Sequence, residues 1–171
     1  MPTTLRMSLV TLFLLTILIC AVAADSPKTA ASPLEAIQWL VGDWHAVAKA
    51  PDGSVTQIDN HIYWSDTHTA IFFLTKFNGQ PHYSGMYAYD PARKQIGFWY
   101  VDSEGQFSQG TATPHDMQLV QNFEISKLDG TTSILKSLVQ RGPGDASYHW
   151  QVFRSDNTSN KPLVELDYIK K

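Results

Sequence analysis

From Trp44 to the C-terminus the chain is a succession of short period-two segments, rich in aromatic and β-branched residues. Turn signals cut them at regular intervals, among them Asp52-Gly53, Asn78-Gly79, Asp90-Pro91 and Gly142-Pro143-Gly144. Alternation with a period of two sends successive side chains to opposite faces of a strand, so this text reads as β-structure. Ten strands are expected, near residues 43–50, 54–64, 68–77, 80–90, 94–102, 106–112, 117–125, 131–140, 146–154 and 162–169. Every connection between them is short, which makes successive strands antiparallel neighbours. A meander of that length must close on itself or leave two edges bare. The expected fold is all-β, a single antiparallel up-and-down barrel of about ten strands with one short N-terminal helix. A two-sheet sandwich is the alternative, although its crossing connections ordinarily need longer loops. No internal repeat points to a propeller or solenoid.

The text before Trp44 is of another kind. Arg6 supplies a positive start, Met7 to Cys20 form an apolar run of about fourteen residues, and Ala21-Val22-Ala23 has the small-x-small pattern read by signal peptidase. The run is shorter than the roughly twenty residues a membrane-spanning helix needs, and the chain turns polar at Asp25. Residues 1–23 therefore read as a signal peptide cleaved near Ala23, and the protein as exported, periplasmic or released, without a stable membrane anchor. Acylation at Cys20 is disfavoured by Ile19, which stands where the lipoprotein-processing enzyme wants Gly or Ala. Cys20 is the one cysteine of the chain, so it would leave with the signal, and with it any disulfide, thiolate nucleophile or cysteine metal site.

Residues 24–32 read as a flexible leader and residues 33–171 as one domain, large enough to bury a core without staples. Ser32-Pro33-Leu34-Glu35 combines a capping residue, a proline at the first helical position and a carboxylate in the first turn. Ile37, Leu40 and Val41 follow at helical spacing, and Gly42 ends the helix. Thirteen basic residues against sixteen acidic ones, with no basic cluster except Lys170-Lys171, argue against a nucleic-acid or anionic-membrane partner. Composition leaves the oligomeric state open.

Asn78-Gly79 is the strongest hairpin signal, a two-residue loop that pairs Phe77 with Gln80. Regular pairing back from it sets Thr75 opposite His82, Phe73 opposite Ser84 and Ile71 opposite Met86 on one face. Phe72 and Leu74 then share the other face with Tyr83, Gly85, Tyr87 and Tyr89, and a tight turn at Ser65-Asp66-Thr67 adds Ile58, Ile62 and Trp64. This nearly continuous apolar face is expected to point inward. The competing face carries Gln57, Asp59, His61 and His82 together with Ile71, Phe73 and Phe77. Across Asp90-Pro91-Ala92-Arg93 the register is ambiguous by one residue, and a slip there exchanges the faces of the next strand.

Gly42-Asp43-Trp44 is a Gly-x-Trp set after a short helix and at the start of the first strand. With Leu40-Val41 before it, and Gly85, Tyr89-Asp90-Pro91, Trp99, Asp102-Ser103, Gly105 and Gly110 after it, the chain resembles bacterial lipocalin-like families of the calycin superfamily described as domains of unknown function. The likeness runs from about Leu34 to Tyr168. It implies a barrel whose tryptophan plugs the closed end, and implies little about activity. Nitrobindins share a ten-stranded barrel and hold haem through a histidine; their glycine-rich motif is not found here, and haem is not carried over.

Candidate chemistry is sparse. The six histidines form no His-x-His or His-Glu-x-x-His pattern, and His61 and His68 flank one turn without facing each other. No metal site and no cofactor are assigned. Gln57, Thr75 and His82, with Asp59 and His61, form a polar set that would serve acid–base chemistry if it faced inward and would be solvated surface if it faced outward; the surface is favoured. No Gly-x-Ser-x-Gly elbow or phosphate-cradling loop occurs, and no catalytic residue is assigned. Asn157-Thr158-Ser159 fits a glycosylation acceptor.

The aromatic residues carry most of the information. Trp44, Trp64, Phe72, Tyr83, Tyr87 and Trp99 are the candidate ligand-binding residues, lining a cup for a small apolar or aromatic molecule. Equally, such side chains can fill a small barrel completely. The expected function is ligand binding without catalysis. The alternatives are an enzyme of isomerase or lyase type using the same cavity, and a filled barrel acting through its outer surface.

Overall fold

A computed structural model describes residues 32–155 and 161–171. The expected signal peptide, all of the leader except Ser32, and the Asn157-Thr158-Ser159 acceptor lie outside the described residues. The ten strands are β1 (Gly42–Lys49), β2 (Val55–Trp64), β3 (Ala70–Phe77), β4 (Gln80–Asp90), β5 (Gln95–Asp102), β6 (Phe107–His115), β7 (Gln118–Ser126), β8 (Thr132–Arg141), β9 (Ser147–Arg154) and β10 (Val164–Lys170). Each pairs antiparallel with its sequence neighbours, and β10 returns to β1, so the meander closes into the expected up-and-down barrel. Among the described residues no helix is long and apolar enough to cross a membrane.

Closure is the narrowest part of the wall. β1 pairs with β2 from Gly42–Ile62 through Lys49–Val55, but with β10 only at Trp44–Lys170 and His45–Ile169. Two further contacts reinforce this seam: the Lys171 amide donates to the Asp43 carbonyl at 2.9 Å, and Lys171 Nζ reaches Asp59 at 2.8 Å.

The short N-terminal helix, Pro33–Leu40, is a 3-10 helix. Its start follows the sequence reading, because Ser32 and Glu35 form a capping box around Pro33. Its pitch follows from spacing. Leu34, Ile37 and Leu40 recur every third residue, so at three residues per turn all three fall on one line and are buried together in the barrel core. Gly42 then leaves the helix with φ of 145°, where a Cβ would lie 2.8 Å from Lys170 Cε.

Inside the barrel the Asn78-Gly79 loop pairs Phe77 with Gln80 as expected, but the regular register stops there. Lys76 pairs with Pro81 and Thr75 with Tyr83, leaving His82 as an extra residue. Proline has no amide hydrogen for the ladder and settles at bulges for that reason. The bulge shifts the rest of the hairpin, so that Phe73 lies opposite Gly85 and Ile71 opposite Tyr87; on the other side of β3, His61 of β2 lies opposite Leu74. Tyr83, Gly85 and Tyr87 do share the inward face with Ile58 and Ile62, yet their companions on β3 are Ile71, Phe73 and Thr75. Phe72 and Leu74, expected inside, belong to the outer face.

Candidate functional site

The barrel is hollow. A cavity of about 440 Å³ runs from the helix plug, where Leu40 lines it, toward the opposite rim, where Leu163 and Val164 are 52% and 43% exposed. This volume lies within the usual range for small-molecule pockets. Alternation within each strand supplies the lining: Phe73, Thr75 and Phe77 from β3, Tyr83 and Tyr87 from β4, Phe98 and Tyr100 from β5, Tyr148 and Trp150 from β9, and Leu166 and Tyr168 from β10. Two glycines hold open the approach of neighbouring strands. A Cβ on Gly85 would fall 2.2 Å from the Trp99 carbonyl oxygen, and one on Gly110 would fall 2.2 Å from that of Asn122.

Aromatic rings make up much of the wall. Tyr83 meets Tyr100 edge-on at 5.4 Å, Phe98 lies parallel to Tyr100 at 6.3 Å, and Phe73 tilts against Tyr87 at 5.6 Å. Part of the polar lining is organised in two networks. Gln121 donates to the Tyr87 phenol at 2.8 Å and accepts from Ser137 Oγ. Asn60 donates to the Tyr148 phenol at 3.3 Å and accepts from Thr75 Oγ1 at 3.1 Å. Among the described residues no Asp, Glu, Lys, Arg or His lines the cavity.

Five tyrosines therefore share an uncharged interior, and each phenol is held above its ordinary pKa. Burial is the main cause at every one. It raises Tyr87 despite the hydrogen bond from Gln121, and Tyr148 despite that from Asn60. Tyr100 is pushed up to about 12 by burial, an effect the Ser108 hydroxyl opposes and the Tyr83 phenol adds to. Ser108 sits opposite Tyr100, its hydroxyl buried without a hydrogen bond of good geometry. Tyr168 is raised by burial and then by Tyr83, while Tyr83 is raised by burial and then by Asp102 and Glu104. Such groups stay protonated and serve as hydrogen-bond donors, not as bases.

The six aromatic residues singled out in the sequence separate in space. Tyr83 and Tyr87 line the cavity. Trp44, 1% exposed, belongs to the plug: its indole packs edge-on against Tyr148 at 4.8 Å. Trp64 lies at the same end, in a groove with Glu35, Trp39, Val41 and Lys170, its ring 5.4 Å from His68. Phe72 and Trp99 stand on the outer wall, Phe72 beside the exposed Tyr63 ring at 5.7 Å and Trp99 37% exposed. The residues that complete the cavity beyond Tyr89, notably Phe98, Tyr100, Gln121 and Tyr168, lie past the Asp90-Pro91 turn, across which the sequence does not fix the register. Across that turn Tyr89 pairs with Ile96 and Tyr87 with Phe98, which puts Ile96, Phe98 and Tyr100 on the inner face.

The polar set of the β2–β4 sheet divides as well. Gln57, Asp59 and His61 point outward, Thr75 points into the cavity, and His82 stands at the bulge, stacked on Phe77 at 4.0 Å and bonded to Ser103 at 2.9 Å. On the outer wall three histidines pair with carboxylates of the neighbouring strand: His45 with Asp59, His61 with Asp43, and His149 with Asp167 and Glu165. Among the described residues no three His, Cys, Asp or Glu side chains come together as a metal site.

No protein-family model matches the chain, and no curated protein matches it either.

Proposed function

We propose that the domain is an exported, calycin-like barrel that binds a small apolar or aromatic molecule in its interior without transforming it. The observation that carries this reading is the cavity of about 440 Å³, walled by aromatic and aliphatic side chains. A barrel filled by its own side chains would have no such space. Among the described residues the interior gathers no imidazole or carboxylate, the groups general acid–base catalysis ordinarily uses, which favours binding over an enzyme of isomerase or lyase type. Export is supported by the Arg6 to Ala23 segment of the sequence.

The test is native mass spectrometry of the protein purified from its own host, paired with titration of the emptied protein by an apolar fluorescent dye. A co-purifying small molecule, or saturable dye binding displaced by apolar aromatics, is the expected result. Protein that carries nothing and takes up no dye would defeat the reading.

A further inference from the structure

The five tyrosines of the cavity are not equivalent. The phenols of Tyr87 and Tyr148 accept from Gln121 and Asn60 and belong to the two fixed networks. Tyr83, Tyr100 and Tyr168 also line the cavity and stand outside these networks; among the described residues the one side chain that acts on any of their hydroxyls as a hydrogen-bond partner is Ser108, on Tyr100. Tyr83 and Tyr100 meet edge-on at 5.4 Å, and Tyr168 enters the same cavity from β10. Three O–H groups thus face one apolar space, and a ligand that fills it must offer them an acceptor, because a donor buried without one costs about 1–3 kcal/mol.

The occupant must also suit the charge of the site. With no cation lining the cavity among the described residues, an anion would lose its hydration without compensation. Asp102 and Glu104 close to Tyr83 add negative potential on that side.

We infer that the cavity selects an uncharged, largely apolar molecule bearing a carbonyl-type acceptor oxygen, which Tyr83, Tyr100 and Tyr168 recognise by hydrogen-bond donation. This rests on the ligand-binding reading and adds the chemical class of the ligand. Aromatic and aliphatic walls take the skeleton, and the phenols take the oxygen. Binding removes no proton, since the raised phenols remain donors throughout the neutral range.

The experiment compares three probes with one ring skeleton: fluorene, fluorenone and fluorene carboxylate. Each is titrated into the full mature chain by quenching of tryptophan fluorescence, to which Trp150 in the lining contributes. Fluorenone is expected to bind about tenfold more tightly than fluorene, a ratio in keeping with one to two net hydrogen bonds, and the carboxylate more weakly than either. In the triple variant Tyr83→Phe, Tyr100→Phe, Tyr168→Phe, fluorenone should fall to the affinity of fluorene while fluorene itself is unchanged. Should the triple variant fail to fold, judged by circular dichroism, the three single Tyr→Phe variants replace it, each expected to narrow the ratio. Equal affinities for fluorene and fluorenone, a preference that survives loss of the hydroxyls, or tighter binding of the carboxylate overturns the inference and leaves the binding reading standing. Failure of all three probes to bind the wild-type protein removes both.

Discussion

Trp44 donates its indole N–H to the carbonyl oxygen of Leu40 at 2.7 Å, and this bond ties the first strand to the helix that plugs the barrel. Both partners are buried, so water cannot replace either one. Trp44→Phe keeps most of the ring volume but strands the Leu40 carbonyl, and the expected cost is about 1–3 kcal/mol. Trp44→Ala also opens a large void beside Tyr148 and should cost about 3–5 kcal/mol. Urea unfolding of the two variants checks the order. Equal losses would mean that packing alone holds the plug.

Gln121 serves two buried hydroxyls, donating to Tyr87 and accepting from Ser137. Gln121→Leu leaves both without their partner, whereas Tyr87→Phe removes a single bond. The first variant should therefore lose more stability than the second, by about 1–2 kcal/mol. Thermal denaturation of both, with Ser137→Ala as a third point, measures the difference.

Gly85 faces the interior of β4 with no room for a methyl group against the Trp99 carbonyl. Gly85→Ala forces β4 and β5 apart and should destabilise by about 2 kcal/mol or more. Ser84→Ala, one residue away on the exposed outer face, should change stability by less than about 0.5 kcal/mol. Chemical denaturation of the pair checks both values.

Raised tyrosine pKa values make the barrel sensitive to alkali. In the unfolded chain a phenol ionises near pH 10, while Tyr100 in the folded barrel holds its proton to about 12. A raised folded-state value contributes stability that is fully present below pH ~10 and is lost as the pH climbs toward the folded value. Each phenol held protonated removes about 1.4 kcal/mol per pH unit in that window. Stability should be flat from neutrality to about pH 9 and fall steeply above pH ~10. Tyrosinate absorbance should appear together with loss of the near-ultraviolet circular dichroism signal. Ionisation of the buried phenols well before that loss would contradict their environment.

The strand pattern was legible because turns are written locally. Asn78-Gly79 set its own hairpin, and each of the ten strand positions followed from alternation between turn signals. Ser32, Pro33 and Glu35 likewise announced the start of the plug helix, and Gly-x-Trp its junction with β1. Facing was harder. Pro81 carried the bulge in plain view, but the residue that would be extruded depends on how β3 and β4 accommodate it, and one extra residue exchanges every side chain below it. In β5 the run Ile96-Gly97-Phe98-Trp99-Tyr100-Val101 is apolar at nearly every position, so no alternation marks Trp99 as outer and Tyr100 as inner.

What the sequence by itself determined is the meander, its strand count and its antiparallel neighbours, because propensity and turn chemistry act within a few residues. Only the tertiary structure decided that the barrel is hollow, that Phe72 and Trp99 stand outside it, and that five tyrosines from β4, β5, β9 and β10 meet within. The physical reason is that register propagates around the wall from strand to strand. Which side chains reach the axis, and whether they fill it, is a property of the closed cylinder and not of any one strand.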